Sequence, residues 1–523
     1  MKRLLLVLPA APLLVLALWP PPARGQDALA RALELYARHC AACHGAEGRG
    51  DGPAAYLMNP KPRDFARGEF RLVTTTNGVP TDDDLMRVLE TGMPGSAMPP
   101  WDRLPLADRR LLVGIVKGFW RADLLRIYRE EELDDDELQR TVAEETTPGA
   151  PLSFAGEAGP SLAQVARGRI AYTQACASCH GRDGRGDATR ELLDSRGYPA
   201  PARDFTKGIF KGGSEARQIY ARLRAGMKGT AMPTFGPDVL PEEDAWAVVH
   251  YVRTLFPPGV QERQRQSMQQ LYVRRVKELP GSAEAWWGAN PPAYLALMPL
   301  WWRDRRPEGV LFQAVHDGTT LALRLVWEDE MENLSNLRQE DFQDGAAVQL
   351  SWDPDPPFFG MGDAKSAVTI WSWKASWQRD REGFLDLEAI YPAMHLDTYF
   401  PAQKNLKAGE RPDPAAVSAP HHDPTYLAGW GAGNPMSNPE RPSAVEVAAA
   451  KGQGTLTTEA REAQLVQGSG SWDRGIWTLE LRAKVPLDRC KGVSVAVAVW
   501  DGAANDRNGQ KSVSVWHRLD LEE

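Results

Sequence analysis

The stretch "HCAACHGAEGRGDG", residues 39–52, comes back as "ACASCHGRDGRGDA", residues 175–188, with Cys176 lying 136 residues beyond Cys40. Each copy holds two cysteines three apart with a histidine directly after: Cys40, Cys43, His44 and Cys176, Cys179, His180. A bare Cys-x-x-Cys is compatible with a disulfide or a thiol-redox pair. The histidine decides between readings. Two thiols reach the two vinyl groups on one side of a porphyrin, and the next residue presents an imidazole to the iron, so Cys-x-x-Cys-His is a c-type haem attachment signature. The expectation is two covalent haems, held by Cys40, Cys43, Cys176 and Cys179, with His44 and His180 on the irons.

A second repeat concerns the sixth iron position. "LMRVLETGMPGSAMPPW" (85–101) aligns with "IYARLRAGMKGTAMPTF" (219–235), placing Met98 and Met232 54 and 52 residues beyond their histidines. Proline and glycine keep this phrase an irregular loop. Met98 and Met232 are preferred to their neighbours Met93 and Met227 as axial ligands; thioether ligation raises the potential and makes both irons electron carriers. Helices are expected over Asp27–His39, from the N-cap Thr81, and over Leu106–Trp120. Their counterparts are Ser161–Ala175, Ser214–Ala225 and Pro241–Phe256. With the motifs, these elements resemble the small, mostly helical class I cytochrome c fold over about 27–125 and 161–257. Arg63 and Arg203 occupy matching "PRDF" and "PARDF" loops, and two readings stand for each: a haem propionate contact or an ion pair with a nearby Asp. His250 reads as packing or surface.

Outward from the repeats, residues 1–25 carry Lys2 and Arg3, an apolar run from Leu4 to Trp19, then small residues before Gln26, the layout of a signal peptide cleaved after Gly25. This implies an exported, periplasmic protein, with no transmembrane segment after cleavage. The chain of 523 residues implies several domains. A net charge of −8 gives no basic footprint, which excludes nucleic acid as a partner. Residues 126–160, acidic then Pro/Gly-rich, read as a solvated linker or as a docking surface for a basic redox partner. Residues 258–282 read as a charged helical linker.

Fourteen of the 18 tryptophans fall in residues 283–523, where the apolar pattern shifts to period two. "GVLFQAVHDGTTLALRLVWEDE" is a hairpin turning at Asp317 and Gly318, and further strands are expected at "AAVQLSW", "AVTIWSWKASW", "GIWTLELRAKV", "GVSVAVAVWDG" and "SVSVWHRL". The fold class is therefore multidomain α + β, two mostly α units followed by an antiparallel β-sandwich, with 401–424 as an insertion loop. Cys490 reads as an unpaired thiol, and His421 and His422 as solvent-facing.

A tryptophan-lined sandwich suits a sugar or a flat cofactor equally. The order of phrases "FQAVHDGTTLALRLVWED", "DGAAVQLSW", "MGDAKSAVTIWSWKA", "AGNPMSNP", "GQGTLT" and "VAVAVWDGAANDRNGQKSVSVWHRL" resembles the haem-binding gamma subunits of ethylbenzene dehydrogenase, dimethylsulfide dehydrogenase, chlorate and selenate reductase, and related nitrite oxidoreductase subunits. The resemblance implies one b-type haem held between a methionine and a lysine. On this sequence the pair is Met361 and Lys374, with Met436 and Lys511 as the alternatives; the lysine must be a neutral amine, so burial must lower its pKa. Trp371, Trp373 and Trp377 supply an apolar setting.

The fused arrangement resembles the cytochrome c subunit found with respiratory nitrate reductase in some thermophilic bacteria. It implies molybdenum/iron–sulfur oxidoreductase subunits on one side and a quinol-linked membrane protein or a soluble cytochrome on the other. No catalytic residue is expected in the chain itself. Two rivals stay open: a di-haem peroxidase, and a cytochrome fused to a carbohydrate-binding sandwich.

Overall fold

The computed structural model describes residues 23–522 except 132, 158, 261–269, 278, 280–286, 289, 302, 304–305, 384, 386, 394–433, 435, 437–441 and 488–492. The insertion 401–424 with His421 and His422, Cys490, and residues 1–22 of the expected leader lie outside the described residues. Helix α1, Ala23–His39, takes up the last three leader positions.

The N-terminal half is helical. In its first unit, α1 delivers Cys40 to the one-turn helix α2, Ala41–His44. Helix α3, Asp82–Thr91, starts at a capping box in which Thr81 and Asp84 satisfy each other's backbone N–H groups. Helix α4 runs Leu106–Glu130, ten residues beyond the expected end, because Leu124 stays buried past Trp120. The linker expectation needs correction here. Asp135–Thr146 forms a helix, α5, capped by Asp134, and its Leu138 and Val142 are fully buried in the core of this unit. An acidic stretch with two apolar residues four apart has one face to bury, and it buries it.

The second unit repeats the plan with α6 (Leu162–Ala175), the one-turn α7 (Ala177–His180), α8 (Ala216–Ala225) and α9 (Glu242–Arg253). Helices α6 and α9 cross so closely that a Cβ at Gly168 would lie 1.9 Å from the carbonyl oxygen of Ala247. The segment after α5 joins both units. Leu152 donates to Thr74 in the first, and Ala155 accepts from the Trp246 indole in the second.

The C-terminal half is a large curled sheet. Its strands are β1 (Leu271–Arg275), β2 (Ala293–Ala296), β3 (Met298–Pro299), β4 (Gly309–His316), β5 (Thr320–Glu328), β6 (Gly345–Ser351), β7 (Val368–Lys374), β8 (Val445–Ala450), β9 (Thr457–Thr458), β10 (Gln467–Asp473), β11 (Ile476–Lys484), β12 (Ser494–Trp500), β13 (Ser512–Val513) and β14 (His517–Leu521), with a short helix α10 at Ala375–Asp380. The order is β10-β11-β5-β4-β1-β14-β12-β6-β7-β8-β9, with β2, β3 and β13 at its margins. Two differences from expectation meet at β1. The second half of the expected charged helix is a strand, since Leu271 and Val273 alternate with exposed Tyr272 and Arg274. That strand pairs in parallel with both β14 and β4, so it bridges two antiparallel halves into one sheet. The halves fold over a common core in which the Trp373 ring of β7 meets the Trp477 ring of β11 edge-on at 4.9 Å.

Candidate functional site

Both Cys-x-x-Cys-His stretches have the same frame. The His44 ring is buried, stacks on Phe65 at 4.4 Å, and faces the Arg63 carbonyl through Nδ1 at 3.0 Å. In the second unit His180 stacks on Phe205 at 4.4 Å and faces the Arg203 carbonyl at 3.4 Å. A carbonyl only accepts, so Nδ1 carries the proton and Nε2 keeps its lone pair for a metal. Burial, chiefly, lowers the His44 pKa to about 4, keeping the ring neutral. Tyr36 and Tyr172 each donate at 2.8 Å to the carbonyl directly after the histidine, of Gly45 and Gly181.

The four cysteines are free thiols. Burial pushes Cys40, Cys43 and Cys176 up to about 12, the reverse of what a thiol-redox pair needs. The methionine loops repeat as well: the amide of Met93 donates to the Met98 carbonyl at 3.0 Å and that of Met227 to Met232 at 3.2 Å. The hydroxyls of Ser96 and Thr230 close the two turns onto the carbonyls of Met93 and Met227. Met98 and Met232 each pack, partly buried, against the core of their unit.

These residues fit a covalent haem: paired thiols beside an imidazole with a free Nε2, and buried cations with spare donors. Arg63 keeps one buried nitrogen without a hydrogen-bond partner and sits 3.6 Å from Glu69. Arg71, absent from the sequence reading, is 6 % exposed with two such nitrogens. A signal for it existed: "RDFARGEFR" (63–71) parallels "RDFTKGIFK" (203–211), so Arg71 and Lys211 are counterparts. His250 is buried on α9, which removes the surface reading.

The sheet half carries a cleft of about 1670 Å³ against the first helical unit. Strands β6, β8 and β12 send Val348, Val445, Val447, Val495 and Val497 into the core. Alternate positions Ala347, Ala448, Ala496 and Ala498 line the cleft, which gives it a low, even wall. The loop before β7 closes another side; Arg38 of the helical unit pairs with its Asp355 at 2.6 Å, and its Phe358 is buried in the helical core.

All four residues singled out for a b haem line this cleft, but they do not pair as expected. Met361, at a left-handed φ of +78°, gives its carbonyl to the Gly452 amide beside the Val368–Ala450 end of β7 and β8. Lys374 is at the other end of β7, six residues or roughly 20 Å away at strand rise. The structure does not bring Met361 and Lys374 together. Lys374 Nζ is held at 2.5 Å by Glu446 and lies 3.6 Å from Met436 Sδ. Lys511 Nζ stands over the Trp500 ring at 4.7 Å, and burial alone lowers its pKa to about 8. Lys374, Gly345 and Trp500 are in register across three strands, so about 10 Å separates the Lys374 and Trp500 backbones. Between them is glycine. Met436 and Lys511 both line the cleft here, a thioether and an amine whose pKa burial lowers, and this donor set fits a haem.

Residues 27–114 and 163–252 match the family described as cytochrome c oxidase, cbb3-type, subunit III, and residues 306–512 match ethylbenzene dehydrogenase. The dimethylsulfide dehydrogenase subunit gamma of Rhodovulum sulfidophilum is 36 % identical over 85 residues, 16 % of this chain and 31 % of that protein. The chain thus spans about a third of the length of this curated relative. Among solved structures, a chain of the reducing HAO-like protein complex of Kuenenia stuttgartiensis aligns over 43 % of this chain and 96 % of its own, at 33 % identity and a TM-score of 0.37. A family 9 carbohydrate binding module of Caldicellulosiruptor kristjanssonii, in complex with glucose, aligns over 49 % and 96 % at 9 % identity and a TM-score of 0.26.

Proposed function

We propose, from a chain that joins a cytochrome c region to an ethylbenzene dehydrogenase gamma-like domain, that this protein is a multi-haem electron-transfer subunit with two haems c and one haem b. When bound, the haems supply one-electron transfer between ferric and ferrous iron. The chain's own residues hold them. Cys40, Cys43, Cys176 and Cys179 form the thioethers, and His44 and His180 present Nε2 from rings oriented by the Arg63 and Arg203 carbonyls. Met98 and Met232 would hold the irons from matching loops. In the sheet half Met436 and Lys511 would take the roles first given to Met361 and Lys374, because the Lys374 amine is engaged by the Glu446 carboxylate at 2.5 Å.

One observation carries this reading. The first helical unit touches both the second unit and the sheet half. On one side Cys43, Ala54, Met58 and Ala97 pack with Leu300, Ala498 and Val513 of the sheet half, at the cleft. On the other, Arg196 of the second unit donates to the Pro62 carbonyl at 2.8 Å, and Arg222 to the Val73 carbonyl at 2.8 Å. Three sites in contacting parts of one chain suit a relay between two partners.

The gamma-like domain supports a molybdenum/iron–sulfur oxidoreductase as one partner, of the respiratory nitrate reductase kind or a relative. The other is a quinol-linked membrane protein or a soluble cytochrome, and the place of action is the periplasm after removal of residues 1–25. Among the described residues no helix is long and apolar enough to cross a membrane. A reduced pyridine haemochrome spectrum of the purified chain tests the reading: two c to one b per chain is expected. Two c and no b, in protein shown not to have lost cofactor, overturns the role of the sheet half.

A further inference from the structure

We propose that Arg71 and Lys211, one from each helical unit, join Arg63 and Arg203 in a single cation cluster that receives the propionate carboxylates of both covalent haems and couples the two electrostatically. This rests on the two-haem c reading of the previous section.

The geometry places the two arms of the repeat against each other. A Cβ on Gly212, the neighbour of Lys211, would stand 2.9 Å from Cδ2 of Leu72, the neighbour of Arg71. Arg222 of the second unit donates to the Arg71 carbonyl at 3.3 Å. A Cβ on Gly229, also in the second unit, would lie 2.6 Å from Arg63 Nη1. Cations of both units are thus packed across one interface, and the charges register it. Burial and then Arg63 lower the Arg71 pKa to about 9, with Arg196 and Arg203 adding. Lys211 is lowered by burial and then by Arg71, Arg203 and Arg63.

The nearby carboxylates leave Arg71 unbonded: Glu69 sits 3.6 Å from Arg63, and Glu308, which acts on Arg203, pairs with Arg306 at 3.0 Å. Glu69 accepts from Ser195 at 2.6 Å and Arg67 at 3.3 Å, and Asp194 accepts from the amides of Arg196 and Tyr198. Arg71 is left buried with Nε and Nη2 unbonded, a state a guanidinium avoids unless an anion is supplied. The anions belong to groups seated at this spot, since Arg63 is also the residue whose carbonyl orients His44. Two propionates per haem match the unbonded Arg63 Nη2 and Arg71 Nε and Nη2.

The test is potentiometric titration of the haem spectrum in the full chain, with the second unit's wave identified by the Met232→His variant. Removing a cation leaves carboxylate charge uncompensated and disfavours the added electron. Lys211→Met is therefore expected to lower the potential of the first unit's haem as well as its own. The reduced fraction at fixed potential should fall about threefold to tenfold, tenfold being about 59 mV for one electron. Lys211→Arg should return both waves. If Lys211→Met loses haem, Arg71→Gln asks the same question from the other unit and must move the second unit's wave. A shift confined to the substituted unit, or no shift, overturns the coupling. Haem c content is measured alongside: fewer than two per chain in the unsubstituted protein overturns the two-haem reading instead.

Discussion

The helical half builds its sites from neighbours in sequence, whereas the sheet half builds its site from residues scattered over 150 positions. Cys40, Cys43 and His44 lie within five residues, and one turn of α2 sets their spacing before any tertiary contact forms. Met361, Lys374, Met436 and Lys511 line one cleft only because β6, β7, β8 and β12 pair in one order. A local site survives duplication, as the matching hydrogen bonds of the two units illustrate. A non-local site depends on strand register, and the length of β7 lies between the Met361 turn and Lys374.

The sharpest way to break this comparison is to remove a local site. Changing Cys176 and Cys179 both to Ser is expected to remove one covalent haem of two, with the first unit's haem retained, as read by intact mass. Loss of both covalent haems would mean that the units are not independent in cofactor attachment. The next largest effect separates the two lysines. Lys511→Ala is expected to lose most of the b haem while both c haems stay, and Lys374→Ala to keep it, by haemochrome spectrum. The reverse result restores the Met361 and Lys374 pair.

A third prediction concerns packing. Gly168→Ala puts a methyl into the Ala247 carbonyl, where close packing leaves no room. It is expected to destabilise the second unit by about 2–3 kcal/mol, seen as an earlier first transition in thermal unfolding while the sheet's transition stays in place.

The smallest effect belongs to the sheet. Asp329, Asp344 and Asp501 bring carboxylate oxygens within 4.8 Å of one another. Burial first, and then mutual repulsion, raise Asp329 and Asp344 above the usual carboxylate range. The folded state therefore binds more protons than the unfolded one above about pH 4, and stability is lost as pH rises through the folded values. The sheet's melting temperature should be higher at pH 5 than at pH 8, and Asp329→Asn should flatten that dependence. A melting temperature that rises with pH would show the carboxylates are charged and compensated.

Much of the fold was legible because its signals are periodic or local. The N-cap Thr81 and the cap Ser161 were readable from residue type. The alternation in "VAVAVW" announced β12, with valines toward the core and alanines toward the cleft. Less legible were α5, whose acidic surface masks two buried apolar residues, and β1, whose five residues are hidden in a charged run. Arg71 and Lys211 were visible as a repeat but not as partners, because nothing in sequence says that the two units meet along those arms.

The sequence by itself determined where the Cys-x-x-Cys-His stretches lie, that they are duplicated, and that strands follow helices. Five adjacent residues or one alternating strand are enough to encode each of those. The tertiary structure alone decided that Lys511 stands over Trp500 while Lys374 is paired with Glu446, that the first unit touches both the second unit and the sheet half, and that cations of both units share one interface. Burial, charge and proximity are properties of residues distant in the chain, and they exist only once the chain has folded.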